Sequence, residues 1–247
     1  MPVTDWRTAM SEWPLPWAAP SFGLKPERSA LIVVDMQYSC AHPDYGVGLV
    51  LKDRRPDTYA WWRQQLEETV VPNIQRLQTA FRESGRRVIF LTVGPELTDG
   101  ADLPRRRRMR EVDAFADLPR KRTFGRGTFE HQIREDLAPK PGELVLNKTG
   151  LSGFTTTGLD QTLRALEIEQ AVFCGVTTNG CVETTCRDAA DRGYWTILVE
   201  DATTSLSPYY HQAALLSASL FLTMVSSTEE ITTAMRAAAP LVAASGV

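Results

Sequence analysis

A series of short apolar runs, each set apart from the next by a stretch long enough to hold a helix, constrains this chain more than any other feature. Ser29–Asp35 (SALIVVD), Arg87–Val93 (RVIFLTV), Glu143–Lys148 (ELVLNK), Ala171–Val176 (AVFCGV) and Trp195–Glu200 (WTILVE) have the length and β-branched content of strands. They hardly alternate between polar and apolar, as expected of strands covered on both faces, so the predicted sheet is parallel. Helical patterns occupy the intervals at Tyr59–Ser84, with Pro72 marking a break or a new first turn, at about Gly158–Leu166, from Cys181 onward, and at Pro208–Leu222. Thr223–Val225 reads as a further short strand, and Gly94–Pro141 as an irregular, charged stretch. The expected fold is a three-layer α/β/α sandwich with a mostly parallel central sheet of about six strands.

Composition narrows the class. A chain of 247 residues, 43% of them hydrophobic, can bury one large core, so a single domain is read over residues 28–247. Residues 1–27, rich in Trp and Pro, read as an ordered arm packed on its surface. The net charge of −3 and pI of 5.7 give no reason to expect nucleic acid or an anionic membrane as partner. No apolar run approaches a membrane span and the N-terminus lacks a signal pattern, so the expected location is cytoplasmic. The four cysteines are irregularly spaced and form no CxxC pair, which argues against a disulfide framework or a zinc site. His42, His131 and His211 are not in ligand spacing and read as ordinary surface or helix residues. With no GxGxxG or P-loop pattern either, neither metal nor cofactor is expected.

In a parallel sheet the residues that follow the strands share one edge, where such folds bind ligands. Here these include Asp35, Lys148 and the turn Thr177-Thr-Asn-Gly-Cys181. Cys181 falls where a strand turns into a helix, a position whose backbone N–H groups favour a thiolate and an oxyanion. Asp35 would accept the thiol proton, and Lys148 would favour the anion. Each residue alone has a plainer reading. A strand-end Asp can be a cap, a strand-end Lys a solvated charge, and a cysteine a small buried hydrophobe, as Cys174 and Cys186 appear from their place in apolar patterns. Their conjunction points to a nucleophilic site.

Other candidates surround these. Gln37 and Asn179 are polar neighbours of the site in sequence, and Tyr38 and Phe154 are aromatic residues placed to line a pocket, whereas Trp195 reads as packing. The basic run Arg105–Arg110 reads either as a solvated or intersubunit face, or as the source of an arginine, Arg105 or Arg110, that grips a substrate carboxylate in a neighbouring active site.

Several motifs resemble one family. Leu31-Ile-Val-Val-Asp-Met-Gln37, Asn147-Lys148 with Gly150-Leu-Ser-Gly-Phe154, and Gly175-Val-Thr-Thr-Asn-Gly-Cys-Val182 with Arg187-Asp-Ala189 and Glu200-Asp-Ala202 are similar to the motifs of the isochorismatase-like cysteine hydrolases. The resemblance covers about Ser29–Val225. It implies an isochorismatase-like fold, a catalytic triad of Asp35, Lys148 and Cys181, and a cis peptide at Val176–Thr177 that helps aim backbone N–H groups near Thr177 and Cys181 at the oxyanion. It also implies a homodimer or homotetramer acting on a small amide or ureido substrate through a thioester. Nicotinamidases of this family carry a metal-binding Asp and His motif after the second strand, whereas Leu91–Asp99 here has no histidine. Members that cleave a vinyl ether lack the nucleophilic cysteine, so Cys181 favours amide hydrolysis. Asn179-Gly-Cys181 is similar to the N-carbamoylsarcosine and maleamate branch, whereas Gly94–Arg110 is similar to the biuret and ureidoacrylate branch. The alternative is a catalytically silent protein of the same fold that binds a small ligand or assembles, or an isochorismatase-type hydrolase.

Overall fold

The computed structural model describes residues 4–13, 15–109 and 124–238. Arg110 lies outside the described residues. Strands β1 (Ser29–Val34), β2 (Arg87–Val93), β3 (Leu144–Lys148), β4 (Gln170–Val176), β5 (Trp195–Thr204) and β6 (Met224–Ser226) form one sheet in the order β3-β2-β1-β4-β5-β6. Every pairing is parallel, with Val34 in register with Leu91 on one side and Gly175 on the other. The chain starts at the centre, winds out through β2 and β3, then returns beside β1 to build the other half. The order reverses between β1 and β4, and such a reversal leaves a crevice at the strand ends.

The side-chain period of a strand divides the core in two. Leu31, Val33, Val172, Cys174 and Ile197 face helices α3 (Pro56–Gln65), α4 (Val71–Glu83) and α8 (Thr228–Ala237), where Trp62, Ile74, Leu77, Phe81 and Met235 pack on them. Ile32, Val34, Ile89, Phe173 and Leu198 face α5 (Leu159–Ala165), α6 (Glu183–Asp191) and α7 (Pro208–Ser219), whose Leu159, Leu163, Cys186 and Leu215 close that layer. These layers make the three-layer α/β/α arrangement expected of the strand runs.

Several boundaries differ from the sequence reading. The long helix starts at Pro56 and passes through a π-helical turn, Leu66–Val70, before α4, which carries Pro72 in its first turn. A π turn is one of the irregularities by which a helix accommodates a proline, which has no N–H to donate. Strand β5 extends to Thr204, with its register against β4 shifting between Phe173 and Gly175. Two further helices are not evident from apolar periodicity: α2 (Gly46–Arg54) and α8, which opens on a capping box between Ser227 and Glu230. Helix α1 (Trp6–Ser11) in the N-terminal segment is tied to β5, where Trp6 Nε1 donates to Glu200 Oε2 at 2.8 Å and Arg7 pairs with the same carboxylate. Phe22 stacks on Trp195 with ring centroids 4.9 Å apart, which gives Trp195 its packing role. Among the described residues no helix is long and apolar enough to cross a membrane.

Candidate active site

Asp35 follows β1 directly and takes a left-handed backbone conformation, φ 52°. Aspartate tolerates that region better than most residues, and strain of this kind concentrates at functional sites. Lys148 ends β3, which lies beyond β2 from β1, and its long side chain spans the gap. Lys148 Nζ donates to Asp35 Oδ2 at 2.8 Å and to the Gly150 carbonyl at 3.2 Å, with both side chains of the ion pair buried. Asp35 Oδ1, also buried, has no hydrogen-bond partner among the described residues.

Cys181 arrives from the other side of β1. After β4 the Val176–Thr177 peptide is cis, and a tight kinked turn, Thr178–Val182, with Gly180 at φ −127° and ψ −111°, carries Cys181 into α6. The amides of Gly180 and Val182 both donate to the Thr177 carbonyl, at 2.9 and 3.3 Å, so the turn wraps on itself. A Cβ at 180 would meet Thr177 Oγ1 at 2.6 Å, so that hydroxyl would have to move to admit one. Side chains brace the turn from outside: Thr185 Oγ1 donates to the Cys181 carbonyl at 2.6 Å, Ser205 Oγ reaches Asn179 Oδ1 at 2.6 Å, and Thr178 Oγ1 lies 2.9 Å from His211 Nδ1.

Burial pushes the Cys181 thiol up to about 12, the Asp35 charge adds to the rise, and the Lys148 charge opposes it. The resting sulfur is therefore protonated at neutral pH. Lys148 thus favours the anion, as expected, but burial outweighs it. Burial pulls the Lys148 ammonium down, but Asp35 and the Cys181 sulfur raise it by more, and it stays charged. The arrangement is an ion pair with an idle carboxylate oxygen next to a neutral thiol.

These groups open onto a cavity of about 490 Å³. Asp35, Val176, Thr177, Gly180 and Cys181 form its floor, whereas Lys148 stands behind Asp35 and does not line it. Val47, Val50 and Leu51 of α2, with Val93, Leu151 and Leu206, make apolar walls; Cys40, Arg107, Asn179, Ser205 and Tyr210 supply the polar points.

Not every sequence candidate reaches this cavity. Asn179 does. Gln37 is buried to one side, where its amide clamps Val93, accepting from the Val93 N–H at 2.7 Å and donating to the Val93 carbonyl at 3.3 Å and to the His131 carbonyl at 2.8 Å. Tyr38 stacks with His42, Tyr45 and Phe129. Phe154 is buried in the layer below α5 and α6, against Tyr194. Arg105 is exposed and off the cavity, but Arg107, two residues on in the stretch 105–109, lines it and donates to the Thr149 carbonyl at 3.1 Å. The basic run signalled an arginine without fixing which one. His131 is not an ordinary surface residue: it is buried, with Nε2 2.8 Å from Asn147 Oδ1, beside Lys148 in sequence. Cys40 and α2 were missed as parts of the site. Among the described residues no group of three or more His, Cys, Asp or Glu is placed to hold a metal ion.

Comparison with known proteins follows the same lines. A family model described as the Isochorismatase domain matches residues 29–230. A cysteine hydrolase from Pseudomonas syringae pv. phaseolicola 1448A is 26% identical, with a TM-score of 0.72 over 88% of this chain and 97% of that one. An isochorismatase family protein from Desulfovibrio vulgaris subsp. vulgaris str. Hildenborough shares the fold at 22% identity, TM-score 0.67, covering 85% of this chain and 98% of that one. An N-carbamoylsarcosine amidase from Thermoplasma acidophilum shares it at 24% identity, TM-score 0.59, covering 82% of this chain and 97% of that one.

Proposed function

Because this chain belongs to the isochorismatase family of hydrolases, we propose that it is a cysteine-dependent amidohydrolase cleaving the C–N bond of a small amide or ureido substrate. One observation carries the reading: a Cys181 thiol that opens onto a cavity beside Asp35, whose Oδ2 is held by Lys148 while Oδ1 is left for a proton.

The chemistry follows from those positions. Asp35 takes the thiol proton as the sulfur adds to the substrate carbonyl, and the Lys148 charge offsets the negative charge that moves onto sulfur. Backbone N–H groups at Thr177 and Cys181 receive the oxyanion. The tetrahedral adduct collapses, the C–N bond breaks, and the leaving nitrogen takes the proton from Asp35 and departs as ammonia or an amine. Water then gives a proton to Asp35 and its oxygen to the thioester, which releases a carboxylate or carbamate; the proton returns to sulfur. Electrons balance without an external redox partner. Arg107, the cation on the cavity wall, binds a carboxylate or carbonyl of the substrate. The same reading has the enzyme cytoplasmic and a homodimer or homotetramer.

An ammonia-release screen over N-carbamoyl amino acids, biuret, ureidoacrylate, maleamate and nicotinamide tests it. Cys181→Ala is expected to lose turnover entirely, and Asp35→Asn to lose about 10²- to 10⁴-fold, the range of a positioned general base. Ammonia release that survives in Cys181→Ala overturns the mechanism.

A further inference from the structure

The apolar side of the cavity belongs to α2, and it is built to stay in place. Two glycines let this helix sit directly on the preceding loop: a Cβ at Gly46 would meet the Ser39 carbonyl oxygen at 2.0 Å, and one at Gly48 would meet the His42 oxygen at 2.3 Å. The Val47 amide donates to the Ser39 carbonyl at 3.0 Å and the Gly48 amide to the Tyr45 carbonyl at 2.9 Å, which fixes the first turn. Leu51 is buried in the core cluster and Val47 packs against it, so the wall is anchored from behind. Val47, Val50 and Leu51 then face across the cavity to Leu206. A preformed apolar wall of this kind is a specificity element, because it rewards an apolar ligand group and leaves a polar one without partners.

Size agrees. The cavity of about 490 Å³ has the room of roughly sixteen waters at their liquid volume, far more than a substrate of ureido size fills. From this we propose, resting on the amidohydrolase reading, that the substrate is an amide or ureide carrying a branched or aromatic hydrocarbon body, which lies against Val47, Val50, Leu51 and Leu206 while its carbonyl meets Cys181. Small, wholly polar ureides underfill the site and leave the wall in contact with water.

Two measurements test this. The first is calorimetric binding of n-alkylureas of increasing chain length to Cys181→Ala, which needs no turnover. Affinity is expected to rise roughly fourfold for each methylene that reaches the wall, and to rise less steeply when Val50→Ser is added. The second compares kcat/KM of the wild-type enzyme on N-carbamoyl-leucine and N-carbamoyl-phenylalanine with that on N-carbamoylglycine, with at least a tenfold preference for the bulkier pair expected. A flat alkylurea series, or equal turnover of the glycine and leucine compounds, overturns the inference while leaving the amidohydrolase reading standing. A rising series with no hydrolysis of any ureide or amide in the ammonia-release screen upholds the apolar subsite and instead removes the reading of the reaction.

Discussion

With its thiol pushed up to about 12 by burial and by the Asp35 charge, Cys181 gains nothing from solvent hydroxide at ordinary pH. In the proposed mechanism its proton moves to the carboxylate beside it. That transfer is internal, so it draws on no hydroxide from solvent. Inactivation by iodoacetamide is accordingly expected to run at a nearly constant rate between about pH 6 and pH 9, rather than climb tenfold per unit toward the ~8.5 of a free thiol. Asp35→Asn removes the acceptor and should slow alkylation by at least tenfold at pH 7. A wild-type profile that rises and levels near pH 8.5 sinks the internal transfer. The sequence made Asp35, Lys148 and Cys181 legible because each ends a strand or follows one, and a parallel sheet gathers such ends on one edge. It left Gln37 and Phe154 ambiguous for a physical reason. A place near that edge does not say which layer a side chain enters, and Gln37 went to the backbone of Val93 while Phe154 went under α5.

At the level of elements, β1 and β4 approach each other closely at Gly175. Gly175 has φ 113°, and a Cβ there would lie 2.1 Å from the Val34 carbonyl oxygen. Gly175→Ala therefore has to part the two strands that carry Asp35 and Cys181. It is expected to cost about 2 to 4 kcal/mol by urea unfolding, combining backbone strain with a lost close approach, and to lower activity in whatever fraction remains folded. A loss under about 0.5 kcal/mol overturns this account of the contact. The strands were legible as elements because continuous apolar runs of that length have few alternatives. Helix α2 was not, since Gly46 opens it at φ 45° and Gly48 costs about 1 kcal/mol relative to alanine in a helix interior, and the packing that offsets this is invisible to local pattern. Helix α8 did carry a local signal, the Ser227 to Glu230 capping box, which apolar periodicity alone passes over.

Over the whole molecule, buried thiols set a limit on alkaline stability. Burial raises Cys174 well above an ordinary thiol and Cys186 to about 11, and both are shielded in the core on opposite faces of the sheet. The unfolded chain releases these protons near pH 8.5 while the folded chain retains them. Stability is thus full below that pH and falls as pH rises above it, by about 1.4 kcal/mol per unit for each thiol until the folded group itself titrates. Urea midpoints measured at pH 7.5 and pH 10 are expected to show the fall, and a Cys174→Val, Cys186→Ala double variant to show a shallower one. A variant slope as steep as that of the parent removes the thiols as its cause. The acid side has a counterpart in His211, held neutral by burial with its pKa lowered to about 4, so its contribution is present above about pH 6.5 and is lost as pH falls from there toward 4.

The floor of the cavity comes from strand ends, whereas most of its walls, Val93 of β2 apart, come from α2, from the stretch around Arg107 and from residues 205–210, all outside the sheet. Bond cleavage and molecular choice are thus written in separate stretches of chain. Val47 and Val50 can be exchanged without touching Asp35, Lys148 or Cys181, and the points that such changes must respect are the glycines at 46 and 48 and Ser205, which holds Asn179.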